Sequence, residues 1–103
     1  MFETNHIALV TGGNRGIGFE VCRQLDERDF VVLLSARDVA KARSAARTLG
    51  NVGIVESIGM DIADASSIQK TATEVASRYG YLDVLVNNAG INYDTWLAGA
   101  PRA

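Results

Sequence analysis

Thr11-Gly12-Gly13-Asn14-Arg15-Gly16-Ile17-Gly18 puts four glycines within seven residues. The run follows a short apolar stretch, Ile7 to Thr11, and opens a helix-like segment from about Gly16 to Arg28. Glycines at these places make a tight turn and a helix start whose backbone other groups can approach closely. Free N–H groups and the positive end of the helix then face outward, an anion site suited to a pyrophosphate. The spacing, with three residues between Gly12 and Gly16 and one between Gly16 and Gly18, is a variant of the dinucleotide fingerprint. No Lys-Ser/Thr follows the last glycine, which excludes a Walker A loop. The competing possibility is a tight strand-to-helix turn that holds no ligand.

Outward from the loop, apolar runs alternate with amphipathic stretches. In the first helix Ile17, Val21, Cys22 and Leu25 recur at helical spacing. Phe30 to Leu34 is a second apolar strand. Asp38 caps a helix running to about Leu49, with Val39, Ala42, Ala46 and Leu49 on one face, and Gly50 and Asn51 stop it. Val52 to Ile58 is a third strand, interrupted by Gly53 and carrying Glu56 toward solvent. Asp64 opens a third helix with the stripe Ile68, Ala72, Val75, Ala76 and Tyr79, and Gly80 ends it. Leu82 to Val86 is a fourth strand.

A β-α-β-α-β-α-β order with strands apolar on both faces predicts an α/β fold with a doubly wound parallel sheet. Right-handed crossovers then restrict the topology, and a doubly wound arrangement would place the strands in the order 3-2-1-4, with a crevice at the reversal between strands 1 and 4. The tail from Ile91 to Ala103 contains Trp96 and Leu97 but no completed element. Strand 4 is an apolar edge that nothing nearby covers, and such edges are normally paired or charged. The expectation is that residues 1–103 are the first part of a larger dinucleotide-binding domain, its sheet truncated after strand 4. The alternative is a complete short chain that dimerises through that edge.

Composition narrows the function. At 103 residues the chain is one small domain, with about 65% of its surface open to burial on folding. A net charge of −2 argues against a nucleic-acid or anionic-membrane binder. No apolar run approaches the ~20 residues that span a bilayer. The single cysteine excludes an intramolecular disulfide and suits a reducing, cytoplasmic compartment.

In a dinucleotide fold the ribose 2′ position is read about 20 residues after the loop, commonly by an acid. Here the stretch is Ser35-Ala36-Arg37-Asp38. Ala36 stands at the acid position, and a guanidinium at Arg37 can hold a 2′-phosphate. Arg15 could reach the same phosphate from the loop. This favours NADP(H) over NAD(H), unless Arg37 is a solvated arginine and Asp38 reads a 2′-hydroxyl. After the third strand, Asp61 can accept from an adenine amino group and the Ile62 N–H can donate to a ring nitrogen, although Asp61 also reads as a plain capping residue. After the fourth strand, Asn87-Asn88-Ala89-Gly90 brings amides and small residues beside the crevice, or is simply a turn.

Taken together, TGGNRGIG at 11–18 and NNAG at 87–90, preceded by Leu82-Asp83-Val84-Leu85-Val86, resemble the start of the short-chain dehydrogenase/reductase family. The likeness runs from Ile7 to about Ile91. Asn14 and Arg15 in the loop resemble the carbonyl-reductase-like, NADPH-preferring members. The resemblance implies a Rossmann-like fold and NADP as cofactor. It implies that Gly12, Asn14, Arg15, Gly16, Ile17 and Gly18 line the pyrophosphate side and that Arg37 holds the 2′-phosphate. Asp61 and Ile62 would meet adenine, and Asn88, Ala89 and Gly90 the nicotinamide-side ribose.

The family carries its catalytic asparagine, serine, tyrosine and lysine in later parts of the fold, the last two four residues apart. This chain contains no such pair. Four residues after Tyr79, Tyr81 and Tyr93 stand Asp83, Leu85 and Leu97. The resemblance therefore implies the cofactor-binding portion of an oxidoreductase that moves hydride between NADPH and a small carbonyl or alcohol substrate, the parent protein forming a homo-oligomer. On the same residues an NADP(H)-binding or sensing module without catalysis stays open. An epimerase of the family's extended branch would normally have two residues, not three, between the first glycines. Among other candidates, His6 precedes the first strand at the end away from the crevice, and Cys22 reads as an inert core thiol. Asp26, Glu27, Arg28 and Asp29 read as a solvated turn, and no cluster has metal-ligand spacing.

Overall fold

In a computed structural model of the chain, residues 6–49 and 54–88 are described. They form β1 (Ile7–Val10), α1 (Gly16–Glu27), β2 (Val31–Ala36), α2 (Val39–Leu49), β3 (Ile54–Gly59), α3 (Ala65–Arg78) and β4 (Val84–Val86). All pairings are parallel and the order is β3-β2-β1-β4, as the alternating pattern predicts. Ile7 pairs with Val31, Ala8 with Val84, and Val31 with Ile54, so the carboxyl ends of the strands line up on one side.

Alternation of side chains across a strand gives the sheet two apolar faces. Val10, Val32, Leu34 and Ala36 meet Cys22 of α1 and Ala42, Ala45, Ala46 and Leu49 of α2. Ile7, Leu9, Val31 and Leu33 face the other way, toward Ile58, Met60 and Val75 of α3. Placing α1 and α2 on one face and α3 on the other is what reverses the winding between β1 and β4.

The helix ends follow local chemistry. Asp38 Oδ1 accepts from the Ala40 N–H at 2.9 Å and caps α2. Asp64 caps α3 by accepting from the Ser66 N–H at 3.0 Å. Gly80, at φ 82, closes α3 with its N–H on the Val75 and Ala76 carbonyls. At the sheet's amino end the Ile7 N–H donates to Asp83 Oδ2 at 2.7 Å, and the His6 ring lies 5.5 Å from that of Phe30.

Several expectations need correction. In α1 the buried line is Gly18, Cys22 and Asp26, while Ile17 is 77% exposed at the rim of the loop. Asp26 is therefore not part of a solvated turn: it is 3% exposed on the last turn of the helix. In α2 Ala45 joins the core and Val39 is half out of it. In α3 Thr71 and Val75 are buried, whereas Ile68, Ala72 and Ala76 of the expected stripe are exposed. β1 and β2 are buried on both faces, but β3 and β4 are not, because each is flanked on one side only among the described residues. The expected strand start at Val52 and Gly53, the stop at Gly50 and Asn51, and the tail with Trp96 lie outside the described residues.

Candidate functional site

β1 delivers the chain into the glycine loop, and hydrogen bonds to β2 and to the exit of β4 fix its path. The Thr11 N–H donates to the Val86 carbonyl at 3.0 Å, continuing the β1–β4 ladder by one rung. The Gly13 N–H donates to the Ser35 carbonyl at 2.9 Å, tying the loop to β2. From the exit of β4, the Asn88 N–H donates to Thr11 Oγ1 at 2.8 Å and Asn88 Nδ2 to the Gly12 carbonyl at 3.2 Å. Asn87 Oδ1 accepts from Thr11 Oγ1 at 3.4 Å. The residues predicted at the ends of the first and fourth strands are thus brought together at the reversal point, where open α/β sheets bind ligands.

Two glycines make this possible for different reasons. Gly16 has φ 62, the left-handed region, and a Cβ there would meet nothing within 4 Å. Its outer side is open. A Cβ on Gly18 would lie 2.2 Å from the Gly12 carbonyl oxygen and 2.6 Å from Asn88 Nδ2. Only glycine lets the first turn of α1 pass that close to the loop.

The three helix starts differ. α2 and α3 each have an aspartate on their first-turn amides. The residue before α1 is Arg15, extended at φ −162 and ψ 168, and it makes no side-chain cap. The first turn of α1 carries no acid either. Its amides remain available to an anion from outside.

At the exit of β2, Ala36 is buried and Arg37 is exposed. Asp38 is occupied as the cap of α2. Beside it, Asn14, Arg15, Phe19, Lys41, Ser44, Ala45 and Thr48 line a cleft of about 410 Å³ between the loop and α2. Arg37 stands at the neighbouring strand end and is not among the lining residues. Lys41 was missed in the sequence. The available signal was its place one helical turn after Arg37 in a helix that Asp38 caps.

At the exit of β3 the Met60 N–H donates to the Ala36 carbonyl at 2.9 Å, which keeps this end in register with β2. Asp61 is half-buried. Its N–H donates to Ser67 Oγ at 2.9 Å and its Oδ1 accepts from the Ala63 N–H at 3.0 Å. The carboxylate thus holds its own turn with one oxygen. Ile62 packs against the core on the α3 face. Ala89 and Gly90 lie outside the described residues.

Other titratable candidates stand apart from this crevice. Tyr79 Oη donates to Glu56 Oε1 at 2.7 Å, and burial, reinforced by that carboxylate, pushes the phenol up to about 12. Burial likewise pushes the Cys22 thiol up to about 12, the mark of an inert core residue. His6 lies near Asp83 at the amino end of the sheet, 3.6 Å between Nδ1 and Oδ1. Among the described residues no cluster of His, Cys, Asp and Glu could hold a metal ion, and no helix is long and apolar enough to cross a membrane.

Comparison with known proteins agrees with this geometry. The chain is 39% identical over 97 residues to (-)-isopiperitenone reductase of Mentha piperita, covering 89% of this chain and 31% of the relative. It is 44% identical over 97 residues to carbonyl reductase (NADPH) 1 of Bos taurus, covering 92% of this chain and 35% of the relative. Among solved structures, a metagenomic short-chain oxidoreductase in complex with NADP superposes with a TM-score of 0.79 at 41% identity, over 84% of this chain and 39% of that one. The chain thus spans about a third of the length of the proteins it matches. Residues 6–101 match the short chain dehydrogenase family, and with the loop, the helix start and the strand-4 exit arranged as described, the chain belongs to that family.

Proposed function

We propose that this chain is the cofactor-binding part of an NADP(H)-dependent oxidoreductase acting on a small carbonyl or alcohol. Gly12, Asn14, Arg15, Gly16, Ile17 and Gly18 would line the pyrophosphate. Arg37, with Arg15 and Lys41, would hold the 2′-phosphate. Asp61 and Ile62 would meet adenine, and Asn88, with Ala89 and Gly90 by resemblance, the nicotinamide-side ribose.

The residues fit the group. The uncapped start of α1 and the open side of Gly16 leave room and donors for a pyrophosphate. One observation carries the choice of NADP(H) over NAD(H). Asp38, the acid closest to the end of β2, is held by the Ala40 N–H as a helix cap, while Arg37 beside it is exposed. Two further cations, Arg15 and Lys41, share a cleft next to it. A dianionic phosphate suits that setting far better than a hydroxyl. The NADPH-named and NADP-bound relatives support the same choice.

When bound, NADPH supplies hydride to the substrate carbon. Among the described residues no group is placed to protonate the developing alkoxide: Tyr79 stands away from the crevice with a phenol raised to about 12, and no tyrosine of the sequence has a lysine four residues on. The stretch alone therefore binds and orients, and catalysis belongs to other parts of the protein.

Titration of the full-length protein with NADPH and NADH tests the reading. Arg37→Asp removes a charge-assisted bond and adds repulsion, costing NADPH about 2–4 kcal/mol and NADH much less. Equal losses for both cofactors would return the 2′ position to Asp38.

A further inference from the structure

β3 ends the sheet opposite β4. It pairs with β2 on one side and has no strand on its other side among the described residues. Natural edge strands are commonly blocked by lysine, proline or a bulge. Ile54–Gly59 reads IVESIG and has neither lysine nor proline. Its one charged residue, Glu56, is turned to the α3 face, where Tyr79 Oη donates to it and Arg78 pairs with it. Among the described residues no strand takes up this backbone edge.

A cleft of about 480 Å³ runs beside this edge on the other face, lined by Arg43, Ala46, Arg47, Val55, Glu56 and Ser57. Val55 packs toward the α1 and α2 core, Ala46 belongs to that core, and Ser57 adds a hydroxyl on the same strand face as Val55, so the floor is part apolar and part polar. The rim is cationic. Arg43 and Arg47 are exposed, and neither has an acidic partner among the described residues. The chain as a whole has a net charge of −2, so these unpaired guanidiniums are a local reversal of sign.

We propose that the outer edge of β3 and this cleft dock an extended acidic peptide segment that adds a strand to the sheet. Its main chain would take up the free edge of Ile54–Gly59. Side chains at alternate positions of a strand point to one face, about 6.7 Å apart. Arg43 and Arg47 are one helical turn apart, a rise of about 6 Å. Carboxylates at positions i and i+2 of the peptide therefore match the two arginines. The residue between them faces Glu56 and must not be acidic. A second copy of this chain is a poorer occupant. Edge-to-edge pairing about an axis normal to the sheet would set α2 beside α2 and bring like guanidiniums together. The surface is separate from the cofactor crevice, which opens at the carboxyl ends of β1 and β4, so the inference stands independently of the cofactor reading.

The test uses isotope-labelled full-length protein and a synthetic probe, acetyl-Thr-Glu-Val-Glu-Thr-amide. The expected result is chemical-shift change and slowed amide exchange confined to Ile54–Gly59 and α2, with affinity that falls as salt rises. The double variant R43E/R47E should weaken the Glu-Val-Glu probe at least about ten-fold and newly accept the Lys-Val-Lys version, as charge-assisted pairing requires. N-methylation of the probe's central amides should weaken it comparably, and the NADPH affinity of R43E/R47E should be unchanged. The proposal is overturned if saturating probe leaves Ile54–Gly59 unmoved, if R43E/R47E binds both probes as the parent does, if NADPH displaces the probe, or if the edge is instead closed by a second copy in sedimentation.

Discussion

Gly18→Ala is the substitution that most directly tests the account of the loop. The added methyl would sit 2.2 Å from the Gly12 carbonyl oxygen, 2.9 Å from the Gly12 carbonyl carbon and 2.6 Å from Asn88 Nδ2. Two of these neighbours are backbone, so no side-chain rotation relieves the clash. The loop must move outward, and the Asn88 Nδ2 bond to the Gly12 carbonyl, 3.2 Å long, is lost. Losing that bond costs about 1 kcal/mol, and overpacking against backbone adds about 1–3 kcal/mol. The sum, about 2–4 kcal/mol, is a large part of a domain's stability of about 5–15 kcal/mol. Gly16→Ala is the control. It meets no atom within 4 Å but must hold a φ of 62, which costs about 1–2 kcal/mol. Urea unfolding of both variants in the full-length protein should rank Gly18→Ala as the more damaging, with NADPH binding weakened as well. If Gly16→Ala is equally or more destabilising, close approach is not what glycine provides at position 18, and the argument fails.

Asp38→Ala should cost about 1 kcal/mol through loss of the α2 cap and leave the NADPH-to-NADH preference intact in cofactor titrations. Thr11→Val removes the acceptor of the Asn88 N–H at 2.8 Å and should destabilise by about 1–3 kcal/mol in urea unfolding. Because the folded Cys22 thiol is raised to about 12, its contribution is complete below about pH 9 and is lost as pH climbs toward 12, with a slope nearing about 1.4 kcal/mol per pH unit. Cys22→Ala should flatten that alkaline decline, and the native thiol should resist iodoacetamide at pH 8 until urea is added. Leu85, 59% exposed on β4, should drive self-association of the 103-residue chain studied alone, and Leu85→Lys should reduce it in light scattering over a dilution series.

Much of this molecule follows from order along the chain. Alternating apolar runs and helical stripes, punctuated by Asp38, Asp64 and Gly80, mark the four strands and three helices of the described residues, and right-handed crossovers restrict the topology to a few doubly wound orders, of which the chain adopts β3-β2-β1-β4. The same local chemistry marks the loop, because this glycine spacing between a strand and a helix sets a tight turn whose backbone can be closely approached. What the tertiary structure alone decided concerns partners distant in sequence. Asn88 reaches Gly12 across the sheet, so that its side-chain amide joins the Gly12 carbonyl in closing the space beside Gly18. Lys41 comes into one cleft with Arg15 only when α2 packs beside the loop. Burial was misread where periodicity was asked to do more than it can. Of the apolar stripe on α3, Val75 and Tyr79 do pack on the core, but Ile68, Ala72 and Ala76 are exposed and the polar Thr71 is buried in their place. A stripe records that a surface is apolar; which part of it is covered depends on the angle at which the helix settles on the sheet, and that angle is set by every other side chain in the layer.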